Sequence, residues 1–358
     1  MRKPTLRLLM IIDKFEVGGT ETYVSAVAEE MEKRGVSIYV AGKRGSLLSK
    51  FRALGCPIFT KINDRQRLEQ WITKHKINVI NAHHESTGIL GSALSRKLSI
   101  PFVYTIHGTY YPRALITKIM KRCYSRNTVI SVSWPVKKWL EEKNIQSVLI
   151  PNGINTQHFR YNRNQQLLSR LGISSRAKVL LYVSRIEDEK ADICKDFLRA
   201  AQRYMDTAPN VHVVVVGGGS GLNSVKKLAA KKHNNRIHVL GERLDTSSFF
   251  SISDVVVGTG RVALEAMSCK RSVIAIGTKG IFGIVKPDNF KLAWKYYFGD
   301  HKAKQTLEIS KIESLIRTAL RSKKSSKTWG EAGREFVMKQ FNISGIVDRL
   351  LTLYHSFI

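Results

Sequence analysis

Two cations five residues apart, Arg185 and Lys190, follow the strand-like run Lys178–Val183, and that spacing suits the two phosphoryl groups of a diphosphate. A second stretch, Asp254 to Cys269, joins the apolar β-branched run Val255–Val257 to residues of helical composition through Gly258-Thr259-Gly260. The first N–H groups of such a helix have no partner within it, so its start, at Arg261 and Val262, can hold an anion. Glycines in the junction let the backbone come close to that anion. Glu265, on the first turns, is positioned to accept hydrogen bonds from the hydroxyls of a sugar whose phosphates occupy the helix start, and nucleotide ribose is the natural candidate. An ordinary strand-to-helix turn with a surface glutamate is the alternative reading, and the rest of the chain must decide.

Other strand ends carry chemistry of the same kind. Gly18-Gly19 lies between the strand-like Leu6–Ile12 and a helical pattern at Glu21–Arg34, and Gly217-Gly-Gly-Ser-Gly221 follows Val211–Val216. Both are also the composition of tight turns. His83-His84 closes the strand Val79–Ala82, and His107, followed by Gly108, closes Phe102–Ile106. His83 and His84 read as structural residues, whereas His107 at a strand mouth reads equally as a site residue. None has a carboxylate or cysteine at metal-ligand spacing, so no metal site is expected.

These residues need a frame that lines up the carboxyl ends of strands. Short apolar strands alternate with helical patterns along nearly the whole chain, which predicts parallel sheets covered on both faces, with ligands outside the strands' carboxyl ends. Pro151-Asn152-Gly153 reads as a turn and hinge. The expected organisation is two Rossmann-like doubly wound α/β domains facing across a cleft: residues 1–152, residues 153–340, and a closing helix at 341–358. At 358 residues the chain is long enough for two cores.

There are 59 Lys and Arg against 28 Asp and Glu, a formal +31, which points to an anionic partner. From Ser86 to Leu140 there is no acid, while Arg96, Lys97, Arg113, Lys118, Lys121, Arg122, Arg126, Lys137 and Lys138 fall among Tyr110, Tyr111, Ile116, Ile119, Trp134 and Trp139. This reads as a basic amphipathic surface suited to anionic lipid, or as a solvated face over an ordinary core. No nucleic-acid-binding signature appears. The cysteines Cys56, Cys123, Cys194 and Cys269 are widely spaced, as in a reducing cytoplasm. The start resembles a signal peptide but reads as a first strand, and no run approaches the roughly 18 apolar residues of a membrane span.

In this order the residues resemble a family 4 glycosyltransferase of the GT-B fold over essentially the whole length. Gly18-Gly19-Thr20-Glu21 resembles that family's N-terminal glycine loop, Thr105-Ile106-His107-Gly108 its donor-facing histidine, Ile150-Pro-Asn-Gly-Ile154 its interdomain segment, and Arg185 with Lys190 its diphosphate-binding pair. Leu264-Glu265-Ala-Met matches the second Glu of its Glu-x7-Glu element, while Val257 stands where the first Glu belongs.

The resemblance implies transfer of a sugar, with retention, from a UDP- or GDP-linked donor to a hydroxyl of a glycan or lipid-linked acceptor in bacterial cell-surface synthesis. It implies no tightly bound metal and a location in the cytoplasm or on the inner face of the plasma membrane. Arg185, Lys190 and His107 would act at the reacting centre. Gly18, Gly19, Gly217, Gly258, Thr259, Gly260, Arg261, Val262 and Glu265 would bind the donor. Two rivals remain: a GT-B scaffold that lost turnover with its first Glu, and a nucleotide-dependent dehydrogenase reading Gly217–Gly221 with Glu242, whose glycine spacing is not GxGxxG.

Overall fold

A computed structural model of the protein describes residues 5–16, 18–321 and 323–358, with side chains described at all of these except 323–325. The first four residues of the signal-like start and Ser322 in the Ser/Lys run lie outside the described residues. The chain divides into two compact units, Met1–Gly153 with Asn342–Ile358, and Ile154–Phe341.

The first unit is built on β1 (Arg7–Lys14), β2 (Ser37–Lys43), β3 (Ile58–Phe59), β4 (Val79–Ala82), β5 (Phe102–Ile106), β6 (Asn127–Ser131) and β7 (Val148–Leu149), all parallel, in the order β3-β2-β1-β4-β5-β6-β7. Side chains alternate across a strand, so Leu8, Met10 and Ile12 enter one core while Leu9 and Ile11 enter the other. A sheet buried on both faces therefore reads as a continuous apolar run. The helix Ile343–His355 belongs to this unit: Ile343, Ile346, Val347, Leu350 and Tyr354 are buried against the Leu8 side of the sheet, and Tyr354 Oη donates to Asn81 Oδ1 at 2.9 Å. Arg34 ties the same helix down through the Asp348 carboxylate and the Ser344 hydroxyl.

The second unit is built on β8 (Lys178–Val183), β9 (Val211–Val216), β10 (Ile237–Val239), β11 (Val255–Val257), β12 (Ser272–Gly277) and β13 (Gly280–Val285), in the order β10-β9-β8-β11-β12-β13. All pair in parallel except β13, which turns back antiparallel on β12 and which the sequence reading missed. In each sheet the chain first runs to one side (β1 to β3, β8 to β10) and then returns to the other side of its first strand (β4, β11). The reversal leaves a crevice at the carboxyl ends of β1/β4 and of β8/β11, which is where such sheets take ligands.

Two basic stretches turn apolar sides into the cores. The basic run from Lys302 contains a helix, Ile309–Arg321, that buries Ile312, Ile316, Ala319 and Leu320 in the core shared with Leu180 and Phe197. The acid-free stretch likewise turns its apolar side inward. Within the helix Arg113–Arg122, Ile116 and Ile119 are core residues, as is Tyr111 before it. Of its large apolar side chains Tyr110, at 70% exposure, faces out most.

Candidate functional site

In the second unit, the predicted donor residues gather along the carboxyl edge of one sheet. Arg185 is exposed two residues beyond β8, and Lys190 lies in the first turn of the helix Asp188–Met205. Asp188 and Glu189 in its first turn suit the positive end of a helix. Its first residue, Asp188, has a left-handed φ of 44°.

The glycine run after β9 clasps this loop from behind. The N–H of Ile186 donates to Gly218 O at 2.8 Å, and the N–H of Gly221 donates to Ile186 O at 2.9 Å. A Cβ on Gly217 would fall on the carbonyl oxygen of Ser184, and one on Gly219 would stand 2.5 Å from that of Ile186. Gly217 is thus required by the close approach of two backbones that fixes the Arg185 loop. This role accounts for the glycines without a dinucleotide.

Beside β8, β11 ends at Val257 and the helix Gly260–Ser268 follows. Gly260 needs to be glycine, with φ +54° and Tyr297 3.0 Å from where its Cβ would be. The N–H groups of the two junction glycines are already used: Gly258 donates to Ile274 O at 3.2 Å and Gly260 to Tyr297 O at 3.1 Å. The next turn also folds back, since the N–H of Val262 donates to Thr259 O at 3.1 Å. Val262 packs its side chain against Gly258, 2.6 Å from the position a Cβ would take.

Glu265 is not the surface residue of the alternative reading. It is 7% exposed, and its Oε1 accepts from Arg261 Nε at 2.7 Å, one turn back on the same helix. Burial pushes its carboxyl pKa up, and the Arg261 charge opposes that shift. A buried carboxylate at the head of a helix can hold a hydroxyl-bearing ligand firmly.

The segment Tyr296–His301, unremarked in the sequence, also meets this edge. Thr259 Oγ1 donates to Asp300 Oδ1 at 3.2 Å. His301 is held below its ordinary pKa by burial and by the charges of Lys279 and Lys190, against the opposing pull of Asp300. No periodic pattern marks this segment, so the sequence gives no handle on it.

The carboxyl edge of the first unit carries a different chemistry. Gly18 precedes the helix Gly19–Glu32, which presents Tyr23 edge-on to the rings of His83 and His107, with centroids 5.9 and 5.3 Å away. His83 Nδ1 lies 3.1 Å from His107 Nε2. His83 is fully buried, and its Nε2 has no partner among the described residues. Burial, with the His84 charge adding to it, lowers His107 to about 3, so both rings are neutral at neutral pH. His84 caps the helix Glu85–Leu98 and lies 3.3 Å from Glu21. A neutral, partly exposed imidazole held by a second imidazole can orient a polar ligand but is a poor nucleophile or proton store. Among the described residues no group of three His, Cys, Asp or Glu is placed to hold a metal.

Two family models match, "Glycosyltransferase Family 4" over residues 17–158 and "Glycosyl transferases group 1" over residues 164–336. The alpha-monoglucosyldiacylglycerol synthase of Acholeplasma laidlawii is 26% identical over 59% of this chain and 60% of its own length. The enzyme of that name from Streptococcus pneumoniae is 23% identical over 87% of this chain and 79% of its own. Among solved structures, Anabaena HepE in complex with UDP and glucose superposes with a TM-score of 0.79 at 18% identity, covering 98% of this chain and 100% of that one. The likeness in fold extends over both units.

Proposed function

Because the chain belongs to the family 4 glycosyltransferases of the GT-B fold and is a nucleotide-sugar-dependent transferase, we propose that it moves a hexose, with retention, onto a hydroxyl of a lipid-linked acceptor at an anionic membrane surface. The observation that carries this reading is the second unit's sheet edge, where a clasped cationic loop, a helix start and a buried carboxylate converge at the strand-order reversal. Arg185 and Lys190 bind the diphosphate, Glu265 holds the ribose, and Gly217, Gly258, Thr259, Gly260, Arg261 and Val262 shape the pocket around them. In the first unit His107, held by His83 and Tyr23, orients a sugar, and Gly18 and Gly19 form the glycine loop of the same unit.

When the glycosidic bond to the nucleotide breaks, charge builds on the leaving phosphate oxygens. Fixed cations that meet this charge stabilise the transition state more than the ground state, which is what raises the rate. No side chain is assigned as a protein nucleophile.

The lipid acceptor is supported by the diacylglycerol products in the names of the two relatives and by the basic groove of about 890 Å³ lined by Arg96, Arg113, Lys118, Lys121 and Arg122. With Ile116 and Ile119 turned into the core, the attraction to membrane is electrostatic and peripheral, from the cytoplasmic side. No described helix is long and apolar enough to cross a bilayer. The test is incubation with UDP- and GDP-hexoses and diacylglycerol in anionic vesicles, with mass-spectrometric detection of a glycolipid whose anomeric configuration matches the donor. Product formed only on soluble sugars, or with the opposite configuration, contradicts the reading.

A further inference from the structure

We propose that Asp300 is the carboxylate that reads the donor sugar, in place of the acid missing at Val257; this rests on the donor reading of the second unit and adds to it a specificity residue. Val257 is apolar and fully buried at the end of β11, so the strand end presents no acceptor for a sugar hydroxyl. An acid arrives there from elsewhere in the chain. Asp300 Oδ1 accepts from Thr259 Oγ1 at 3.2 Å, two residues beyond Val257 and one residue before the helix that carries Glu265.

The backbone that delivers Asp300 is unusual. Tyr297, Phe298 and Gly299 are all left-handed, with φ of 48°, 53° and 86°. Aromatic residues rarely adopt that conformation, and such outliers persist where the surroundings over-determine them, often at ligand sites. Here Phe298 is fully buried, its N–H donating to Ala293 O at 2.6 Å, and Tyr297 O accepts the Gly260 N–H at 3.1 Å. Gly277 must be glycine, because a Cβ there would stand 2.5 Å from Gly299 O and 3.1 Å from Thr259 Cγ2. The strained turn is therefore pinned to the ends of both β11 and β12.

The electrostatics fit a sugar rather than a phosphate. A carboxylate repels the diphosphate but accepts strong hydrogen bonds from paired hydroxyls. Neighbouring His301 feels the charge of Lys190, one of the two cations assigned to the diphosphate. The ligand it would take is the hexose of a nucleotide sugar, held through two of its hydroxyls.

The experiment compares Asp300→Asn with the parent by calorimetric titration, using UDP and GDP alone and with the matching glucose and galactose nucleotides. The amide oxygen can still accept from Thr259, so the turn keeps its anchor. The expected result is nucleoside diphosphate binding unchanged or tighter, nucleotide-sugar binding weaker by roughly tenfold, and partial recovery in Asp300→Glu. Equal loss for diphosphate and nucleotide sugar would mark Asp300 as structural only, and no loss for either would mark it as a bystander; both overturn the proposal while leaving the donor reading standing. A parent that binds no nucleotide sugar removes the donor reading and this inference together.

Discussion

His83 and His107 face each other at the ends of neighbouring strands, with 3.1 Å between Nδ1 of the first and Nε2 of the second. One ring must donate and the other accept, so the accepting ring cannot be protonated at the contact nitrogen, nor both rings be charged, without breaking the contact. Burial lowers both pKa values, that of His107 to about 3. The unfolded chain then binds more protons than the native one below its ordinary histidine pKa of about 6.5, so stability is full above that pH and is lost as pH falls towards 3. In urea titrations from about pH 7 to about pH 4, the parent's midpoint should drop more steeply than that of His107→Gln. Parallel pH slopes in the two proteins would mean that the pair does not titrate in this way.

Arg185 and Lys190 offer a direct test of the diphosphate site. Each should lose about 1.5–3 kcal/mol of nucleoside diphosphate binding on replacement by Ala, the range for a charge-assisted contact. Arg185 is exposed and clear of the core, so its variant should melt like the parent. Isothermal titration beside a thermal melt separates the two effects, and unchanged affinity in both variants rejects the assignment.

The groove of Arg96, Arg113, Lys118, Lys121 and Arg122 should bring the protein to anionic vesicles, with about 1 kcal/mol per cation near the surface. Because Ile116 and Ile119 are spent on the core, the groove-lining helix has neither of them to insert once salt screens the charges. Co-sedimentation should fall steeply between low and high salt, and the triple change of Lys118, Lys121 and Arg122 to Ser should abolish it. Binding that resists salt, or that is equal on neutral vesicles, contradicts a purely electrostatic contact.

How far the sequence reached follows from what each residue signals locally. Val255–Val257 and the glycines after it declare a buried strand and a turn, and Gly217 declares a place without room for a side chain, so the ends of β8, β9 and β11 were legible. The period of Ile116 and Ile119 was legible too, but amphipathic spacing says only that a face is covered, not whether lipid or protein covers it. Asp300 was out of reach altogether: it meets Thr259 forty-one residues away in sequence, through a left-handed turn of Tyr297 and Phe298 that no propensity favours. Long-range contacts held by backbone strain leave no local pattern.

The ribose assignment of Glu265 turns on its partner. Arg261 Nε occupies Oε1 at 2.7 Å, in a pair whose side chains are 16% and 9% exposed, so the carboxylate is held in a fixed orientation. Glu265→Gln keeps an oxygen for Arg261 but removes the charge and turns the other terminal atom into a donor. Stability should fall by about 1–3 kcal/mol from the weakened buried pair. Affinity for a nucleoside diphosphate should fall as well, because ribose hydroxyls lose a charged acceptor. The two effects are separated with the 2′-deoxynucleotide: the parent should prefer ribose over deoxyribose by roughly tenfold, and Glu265→Gln should lose that preference even under conditions where it remains folded. A variant that is less stable yet discriminates ribose as the parent does would make Glu265 a helix residue whose work is to neutralise Arg261, and the ribose contact would have to be sought on other residues of the second sheet's carboxyl edge.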